Sequence, residues 1–266
     1  EGPGGTAYFE VAYKGSAVLA LTLENALPDW LKEDTEVEKS FPAIALVLDD
    51  FGYTKRNLKL LKAIREPVTI AILPNAPYSG AVSSFAEENG IETILHLPME
   101  PEGDSARLEK ETIMVGMDDD GIDEIIARAL KVVPSASGVS NHQGSKATRD
   151  EKTMKRVLGE LKEKDLFFLD SMTTSESVCG TIAEKKGILY AKRDLFLDRR
   201  SDKDYIKGQL EKAERIARKN GRVVVIGHDR AKTLRVLREV IPEMRERGIK
   251  FVKLSEIIEK NADTRY

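Results

Sequence analysis

The sequence predicts an α/β protein whose parallel strands close into a β/α barrel behind a short N-terminal extension. From Phe41 onward, apolar strand-like runs alternate with amphipathic helical patterns, and parallel strands require such crossovers. Seven or eight strand–helix units in about 225 residues match the size of a closed barrel. The competing architecture is a doubly wound open sheet, but no strand is followed by a G-x-G-x-x-G phosphate loop.

Residues 1–40 read as an extension and linker, and 41–266 as the barrel. Glu1-Gly2-Pro3-Gly4-Gly5 is a flexible leader. Tyr8 to Tyr13 and Ala17 to Leu23 read as strands around Lys14-Gly15-Ser16, a hairpin signal. Continuation of the second run as a helix through Trp30 is the alternative. Asp34 to Ser40 reads as a charged linker.

Within the barrel the expected strands are 43–49, 68–73, 92–97, 137–141, 166–170, 187–192, 222–227 and 250–254. Amphipathic patterns predict helices over 54–65, 78–89, 118–132, 149–164, 202–219 and 231–247. Thr148-Arg149-Asp150-Glu151 resembles a capping box for the fourth of these. The longest irregular stretch, Met99 to Met117, is either a binding loop or a surface excursion.

Composition narrows the function. A net charge of −3 and a pI near 5.9 remove the usual electrostatic case for nucleic acid or an anionic membrane. Interleaved Lys and Glu point to solvated helix faces with i,i+4 pairs. Cys179 is the single cysteine, which excludes an intrachain disulfide and a thiolate cluster; with no local base beside it, an inert thiol is expected. No stretch reaches the roughly 20 apolar residues of a membrane helix. The chain begins at Glu1, as expected after removal of a signal peptide, which implies a periplasmic or secreted protein. Oligomeric state is not legible.

The chain has three histidines, and each stands where an apolar run gives way to a polar turn: His96, His142 and His228. A fourth run, Ala43 to Leu48, ends in Asp49-Asp50. In parallel α/β folds the carboxyl ends of the strands open into the ligand crevice, so these side chains converge. Adjacent carboxylates repel, and a divalent cation or a shared proton offsets that cost. Successive strand residues point to opposite faces, so the two Asp make different contacts unless the strand has ended. A helix cap is the competing reading, since Asp is favoured there. Two imidazoles and a carboxylate leave open positions on Zn²⁺ or a similar ion, and the third His is then free for proton transfer. Glu100 lies four residues past His96 and within reach of the same pocket. Asp170, Arg193 and Asp194 end later runs, as supporting groups or as loop ion pairs. Gly144-Ser145 after His142 marks either close backbone approach or a turn.

Six segments occur in one order: Leu48-Asp49-Asp50-Phe51-Gly52, His96-Leu97-Pro98-Met99-Glu100-Pro101, Asn141-His142-Gln143-Gly144-Ser145, Phe168-Leu169-Asp170-Ser171, Arg193-Asp194-Leu195-Phe196-Leu197-Asp198 and Ile226-Gly227-His228. Together they resemble the divergent polysaccharide deacetylases, a branch of the NodB-like metal-dependent carbohydrate esterases, over about residues 41–260. The resemblance implies a distorted seven- or eight-stranded (β/α) barrel of the glycoside hydrolase/deacetylase type in a cell-envelope setting. It implies Asp49 as base, Asp50 and His96 as metal ligands, and His228 as general acid. The family's second metal histidine is replaced by Glu100; His142, in the branch's own Asn-His-x-Gly-Ser motif with Asn141 and Ser145, is the candidate for the remaining ligand. The Arg-x-Pro-Tyr motif of active deacetylases is missing.

The implied activity is removal of N-acetyl groups from a cell-envelope or extracellular polysaccharide, with peptidoglycan fragments among the substrates. The cofactor is a divalent metal, foremost Zn²⁺, with Co²⁺, Ni²⁺ or Mn²⁺ as alternatives. A second reading is a catalytically weak or inactive metal-binding envelope protein that recognises glycan or a protein partner. A third is a metal-free glycosidase that uses two carboxylates such as Asp49 and Asp170.

Overall fold

The computed structural model describes residues 6–13, 16–24, 41–103 and 107–263. The chain forms two compact units, Glu1–Ser40 and Phe41–Tyr266. In the first, β1 (Thr6–Tyr13) and β2 (Ser16–Glu24) pair antiparallel, from Thr6 opposite Glu24 to Tyr13 opposite Ser16. The second apolar run is therefore a strand, as in the hairpin reading. The expected leader, linker and helix extension to Trp30 lie outside the described residues.

The second unit is a curled, all-parallel, nine-stranded sheet wrapped by helices, a distorted β/α barrel. Its elements are β3 (Ala43–Phe51), α1 (Leu58–Lys62), β4 (Thr69–Ile72), α2 (Ser79–Glu88), β5 (Glu92–Met99), α3 (Asp119–Val132), β6 (Ala136–Gln143), α4 (Glu151–Glu163), β7 (Phe167–Asp170), α5 (Cys179–Lys186), β8 (Tyr190–Lys192), β9 (Leu195–Phe196), α6 (Lys203–Asn220), β10 (Arg222–His228), α7 (Ala231–Glu246), β11 (Lys250–Val252) and α8 (Leu254–Asp263). The spatial order is β8-β7-β6-β5-β4-β3-β10-β9, with β11 beside the start of β3.

Strand alternation sorts the core into two layers. Ile44, Leu46 and Leu48 point outward and pack with the helices. Ala45, Val47, Ala71, Ile94, Phe167, Leu169, Ala191, Val224 and Ile226 point inward and meet Leu254, Ile257 and Ile258 of α8, which plugs the lumen. Gly138 is required by this interior, because a Cβ there would lie 2.3 Å from the Phe167 ring.

Several expectations are corrected. The helix expected over 54–65 shrinks to Leu58–Lys62, since residues 52–57 form the turn leaving β3. Helices α5 and α8 were not expected: the first is eight residues with a weak apolar face, and the second starts within the run read as strand 250–254. The helix at 149–164 is capped by Asp150, which accepts from Thr153 N, while the Thr148 hydroxyl donates to Gly144 O. The distortion lies between β8 and β9, which do not pair among the described residues. There Asp194 substitutes for a strand partner: its N–H donates to Val224 O, and its Oδ2 accepts from Val224 N at 2.8 Å.

Candidate metal and acid–base site

The site is the uppermost inward layer of the barrel. Asp49 continues the inward series Ala45, Val47 and pairs in register with His228, which continues Val224, Ile226. His96 continues from Ile94 and faces Ser140, its register partner on β6. His142 follows Ser140 on the same face.

Asp50 breaks the alternation and thereby joins them. Its φ of 64° is left-handed, Gly52 follows with φ 122°, and the register with β4 slips between Leu48 and Phe51. A side chain at Gly52 would approach Ser79 Oγ to 2.8 Å, so this turn needs glycine. Both carboxylates therefore face one imidazole: His96 Nε2 lies 3.7 Å from Asp49 Oδ2 and 3.4 Å from Asp50 Oδ1. The capping reading of the pair is set aside, because α1 begins after Asn57.

One ligand atom each from Asp50, His96 and His142 lies within 4.8 Å of the others. His142 Nδ1 is 3.1 Å from Asp50 Oδ1, and the two imidazoles meet edge to face at 4.9 Å. Ser140 Oγ sits 2.8 Å from His96 Nδ1, which fixes the ring and leaves Nε2 for the carboxylates. Asp49 differs from Asp50: only 3% exposed, it leaves Oδ1 buried without a hydrogen-bond partner among the described residues.

His228 stands apart from the triad. Its Nδ1 pairs with Asp198 Oδ1 at 2.6 Å, and its ring stacks on Phe196. Asp198 is fully buried, and its Oδ2 accepts from Thr233 Oγ1 at 2.7 Å and from His228 N at 3.1 Å. This directs the imidazole's Nε2 edge away from Asp198.

The electrostatics match the geometry. Burial raises the Asp49 carboxyl above its ordinary pKa, outweighing the nearby imidazoles. Burial also opposes the Asp50 charge, but hydrogen bonds with His142 and His96 prevail and hold it far below the usual carboxylate range. Burial disfavours charge on His96 and His228, yet Asp49 and Asp50 raise the former, and Asp198 raises the latter. Asp229, which accepts from Asn57 Nδ2 at 2.8 Å, is raised by burial to about 6.

The other expected site residues serve the walls. Glu100 does not join the triad: it accepts from Lys146 Nζ at 2.5 Å and Val115 N at 2.7 Å, and so anchors the 99–117 excursion. Asn141 accepts from Ser171 N and donates to Gln143 O, tying β6 to the end of β7. Ser145 Oγ accepts from Glu102 N. Asp170 follows inward Leu169 and faces away from the lumen, where it accepts from Met172 N, Ser177 Oγ and Tyr190 OH. That orientation removes the Asp49/Asp170 glycosidase pairing. Asp194 is spent on Val224. Arg193 does reach the mouth: it donates to Ser171 O and Met172 O and lies 3.8 Å over the Phe196 ring. Cys179 is buried, and its thiol is pushed up to about 12 by desolvation, as an inert role requires.

Sequence reasoning missed Asp198 and Ser140. Asp198 had a readable signal, an acid ending the apolar run Leu195-Phe196-Leu197, the criterion that selected Asp49. Ser140 had none before β5 and β6 were aligned.

Fold and site together define a member of a deacetylase family. The sequence pattern described as divergent polysaccharide deacetylase matches residues 46–258, and the chain belongs to that family. It is similar to "Uncharacterized protein YibQ" of Escherichia coli K12, 35% identical over 222 residues, covering 83% of this chain and 69% of the relative. Among solved structures it is similar to uncharacterized protein ATU2773 from Agrobacterium tumefaciens C58, with TM-score 0.77 and 23% identity, covering 82% and 89% of the two chains. It also shares its fold with BA3943 of Bacillus anthracis, described as a CE4 family pseudoenzyme, at TM-score 0.50 and 15% identity, covering 82% and 66%.

Proposed function

We propose that this protein is a metal-dependent hydrolase that removes N-acetyl groups from a cell-envelope or extracellular polysaccharide. The observation that carries the reading is Asp49: a buried carboxylate with an unpartnered oxygen beside a two-imidazole, one-carboxylate cluster, with His228 next to it in register. Asp50, His96 and His142 fit a divalent cation, Zn²⁺ foremost, since their donor atoms converge and Asp50 stays ionised. A cation there would polarise an acetamide carbonyl and lower the pKa of an adjacent water.

The residues divide the remaining work. Asp49 takes a proton from the attacking water, and burial, which raises its basicity above that of an ordinary carboxylate, suits that task. His228, whose protonated form Asp198 favours, delivers a proton to the departing amine. Ser140 holds the His96 ring in the orientation that presents Nε2. A periplasmic or secreted setting suits such a substrate, and no helix of the described residues is long and apolar enough to cross a membrane.

The test is acetate release from chitooligosaccharides and peptidoglycan fragments after loading with Zn²⁺, Co²⁺, Ni²⁺ or Mn²⁺. Metal-dependent release that chelation abolishes supports the reading. Binding of glycan without release under every metal overturns it in favour of a recognition protein.

A further inference from the structure

Opposite the Asp49 side of the mouth lies a group of side chains that the proposed reaction does not use. Ser171 stands just past β7, two residues after inward Leu169, and Arg193 just past β8, two residues after inward Ala191. The ladders end at Ser140–Leu169 and Asp170–Lys192, and just past them Ser171 N donates to Asn141 Oδ1 and Arg193 Nε to Ser171 O, so the two residues lie together at the ends of β6, β7 and β8. Phe196 closes the row from β9, stacked on His228.

Two features of this row call for a ligand. Ser171 is 3% exposed, and its hydroxyl is one of two buried side-chain polar atoms without a partner among the described residues, Asp49 Oδ1 being the other. Two guanidinium groups also converge on the single Phe196 ring, Arg193 at 3.8 Å and Arg199 at 5.3 Å from its centroid. Neither forms an ion pair with a carboxylate among the described residues, although Arg247, Arg218, Arg156 and Arg128 all do. Of the carboxylates whose charge Arg193 feels, Asp170 is bonded to Ser177 and Tyr190 and Asp194 to Val224, while Asp49 lies beyond ion-pair distance. Arg193 gives its Nε and Nη2 to backbone carbonyls, which fixes its plane across the ring.

We propose that Ser171, Arg193 and Arg199 form an anion subsite that takes a carboxylate on the sugar next to the N-acetyl group. The inference rests on the reading of the mouth as a glycan site and specifies the glycan as acidic rather than neutral. The subsite supplies a hydroxyl donor from Ser171 and charge-assisted contacts from two arginines, the chemistry that distinguishes a carboxylate from its amide. A phosphate ester on the sugar would present the same charge, so the probes must separate the two.

The experiment is equilibrium binding with three N-acetylated oligosaccharides of equal length, one bearing a sugar carboxylate, one its neutral carboxamide and one a phosphate ester, with acetate release measured in parallel. The carboxylate form is expected to bind about ten-fold or more tighter than the carboxamide, the range of one or two charge-assisted bonds. Arg199→Gln should cut that ratio several-fold, leaving the share that Arg193 and Ser171 supply. Ser171→Ala, which deletes a hydroxyl with no partner among the described residues, should lower it about three-fold, the scale of a neutral hydrogen bond. Arg215→Gln on α6 should leave the ratio intact, which separates a local subsite from a change in overall charge. Equal affinity for carboxylate and carboxamide, no binding of the carboxylate form, or a ratio unchanged in Arg199→Gln overturns the subsite. Tighter binding of the phosphate ester than of the carboxylate overturns its assignment to a carboxylate. An Arg199-dependent preference without acetate release from any probe sustains the subsite while the deacetylase reading fails.

Discussion

Glu92 and Asp49 are both acids on parallel strands of one sheet, and the fold treats them in opposite ways. Glu92 begins β5 at the closed end of the barrel, where its Oε2 accepts from Thr69 Oγ1 at 2.6 Å and from Leu254 N at 2.9 Å. It thus joins the start of α8 to the sheet, a carboxylate at a helix N-terminus beside the plug that fills the lumen. Asp49, near the carboxyl end of β3, is more deeply buried and leaves one oxygen unanswered. Left-handed residues gather at that end too: Asp50 and Gln143, in the last residues of β3 and β6, and Met172, just past β7, have φ of 64°, 56° and 50°. A buried polar group without a partner costs stability, as does a non-glycine residue in that region. The closed end is therefore built for cohesion, while the open end keeps unfavourable groups poised for a ligand.

The sharpest way to break this comparison is at Asp49. Asp49→Asn should lower acetate release about 10²- to 10⁴-fold, the usual contribution of a positioned base. The same substitution should raise the melting temperature, because it removes a buried charge that has no hydrogen bond to its Oδ1. A variant that loses both activity and stability would show Asp49 to be a structural residue. Asp50→Asn and His96→Ala bracket this result: each should cut metal content well below one equivalent in a protein that still unfolds cooperatively. Full metal content in His96→Ala would move the cation site elsewhere.

At the other end the effect should be thermodynamic alone. Glu92→Ala removes the acceptor for Thr69 and for the first amides of α8, and should cost about 1–2 kcal/mol of stability. Activity per folded molecule should stay within error of the parent. A drop in turnover beyond the loss of folded protein would mean that the two ends are coupled.

The difference between the ends also decides what the sequence could disclose. The strands were legible because both faces are buried, so Ala43–Phe51 and Arg222–His228 read as continuous apolar runs. The histidines were legible because each interrupts such a run at its polar end. Glu100 misled, since proximity in sequence to His96 says nothing about the turn that hands its carboxylate to Lys146 and Val115. Asp170 misled by parity, one residue out of phase with the lumen. Asp50 lies beyond any alternation rule, because only its left-handed backbone brings it to the same imidazole as Asp49. Helix α5 was invisible for a different reason: it is a single short stretch between two β strands, too brief for its periodicity to stand out.

The smallest expected effect refines the open end itself. Asp198 touches no substrate-facing surface; it acts through His228, whose Nδ1 it holds at 2.6 Å. Burial pulls the His228 pKa down, and the Asp198 carboxylate more than restores it, so the imidazolium survives to higher pH than an isolated histidine would. Proton delivery to the leaving amine needs that imidazolium, so turnover should fall as pH rises through the elevated value. Asp198→Asn keeps the side-chain shape but removes the charge, leaving burial to dominate. The alkaline limb of the rate profile should then move to lower pH by about one unit, the low end of what one adjacent opposite charge contributes. The maximal rate on the acid side of that limb should change much less, which a merely structural loss would not produce. Thr233→Ala supplies the comparison, since it removes one hydrogen bond to Asp198 Oδ2 and leaves the charge in place, so its limb should stay near the parent. If both variants keep the parent profile, His228 is not the group that titrates, and the acid must be sought at Asp229, the neighbouring carboxyl that burial has raised to about 6.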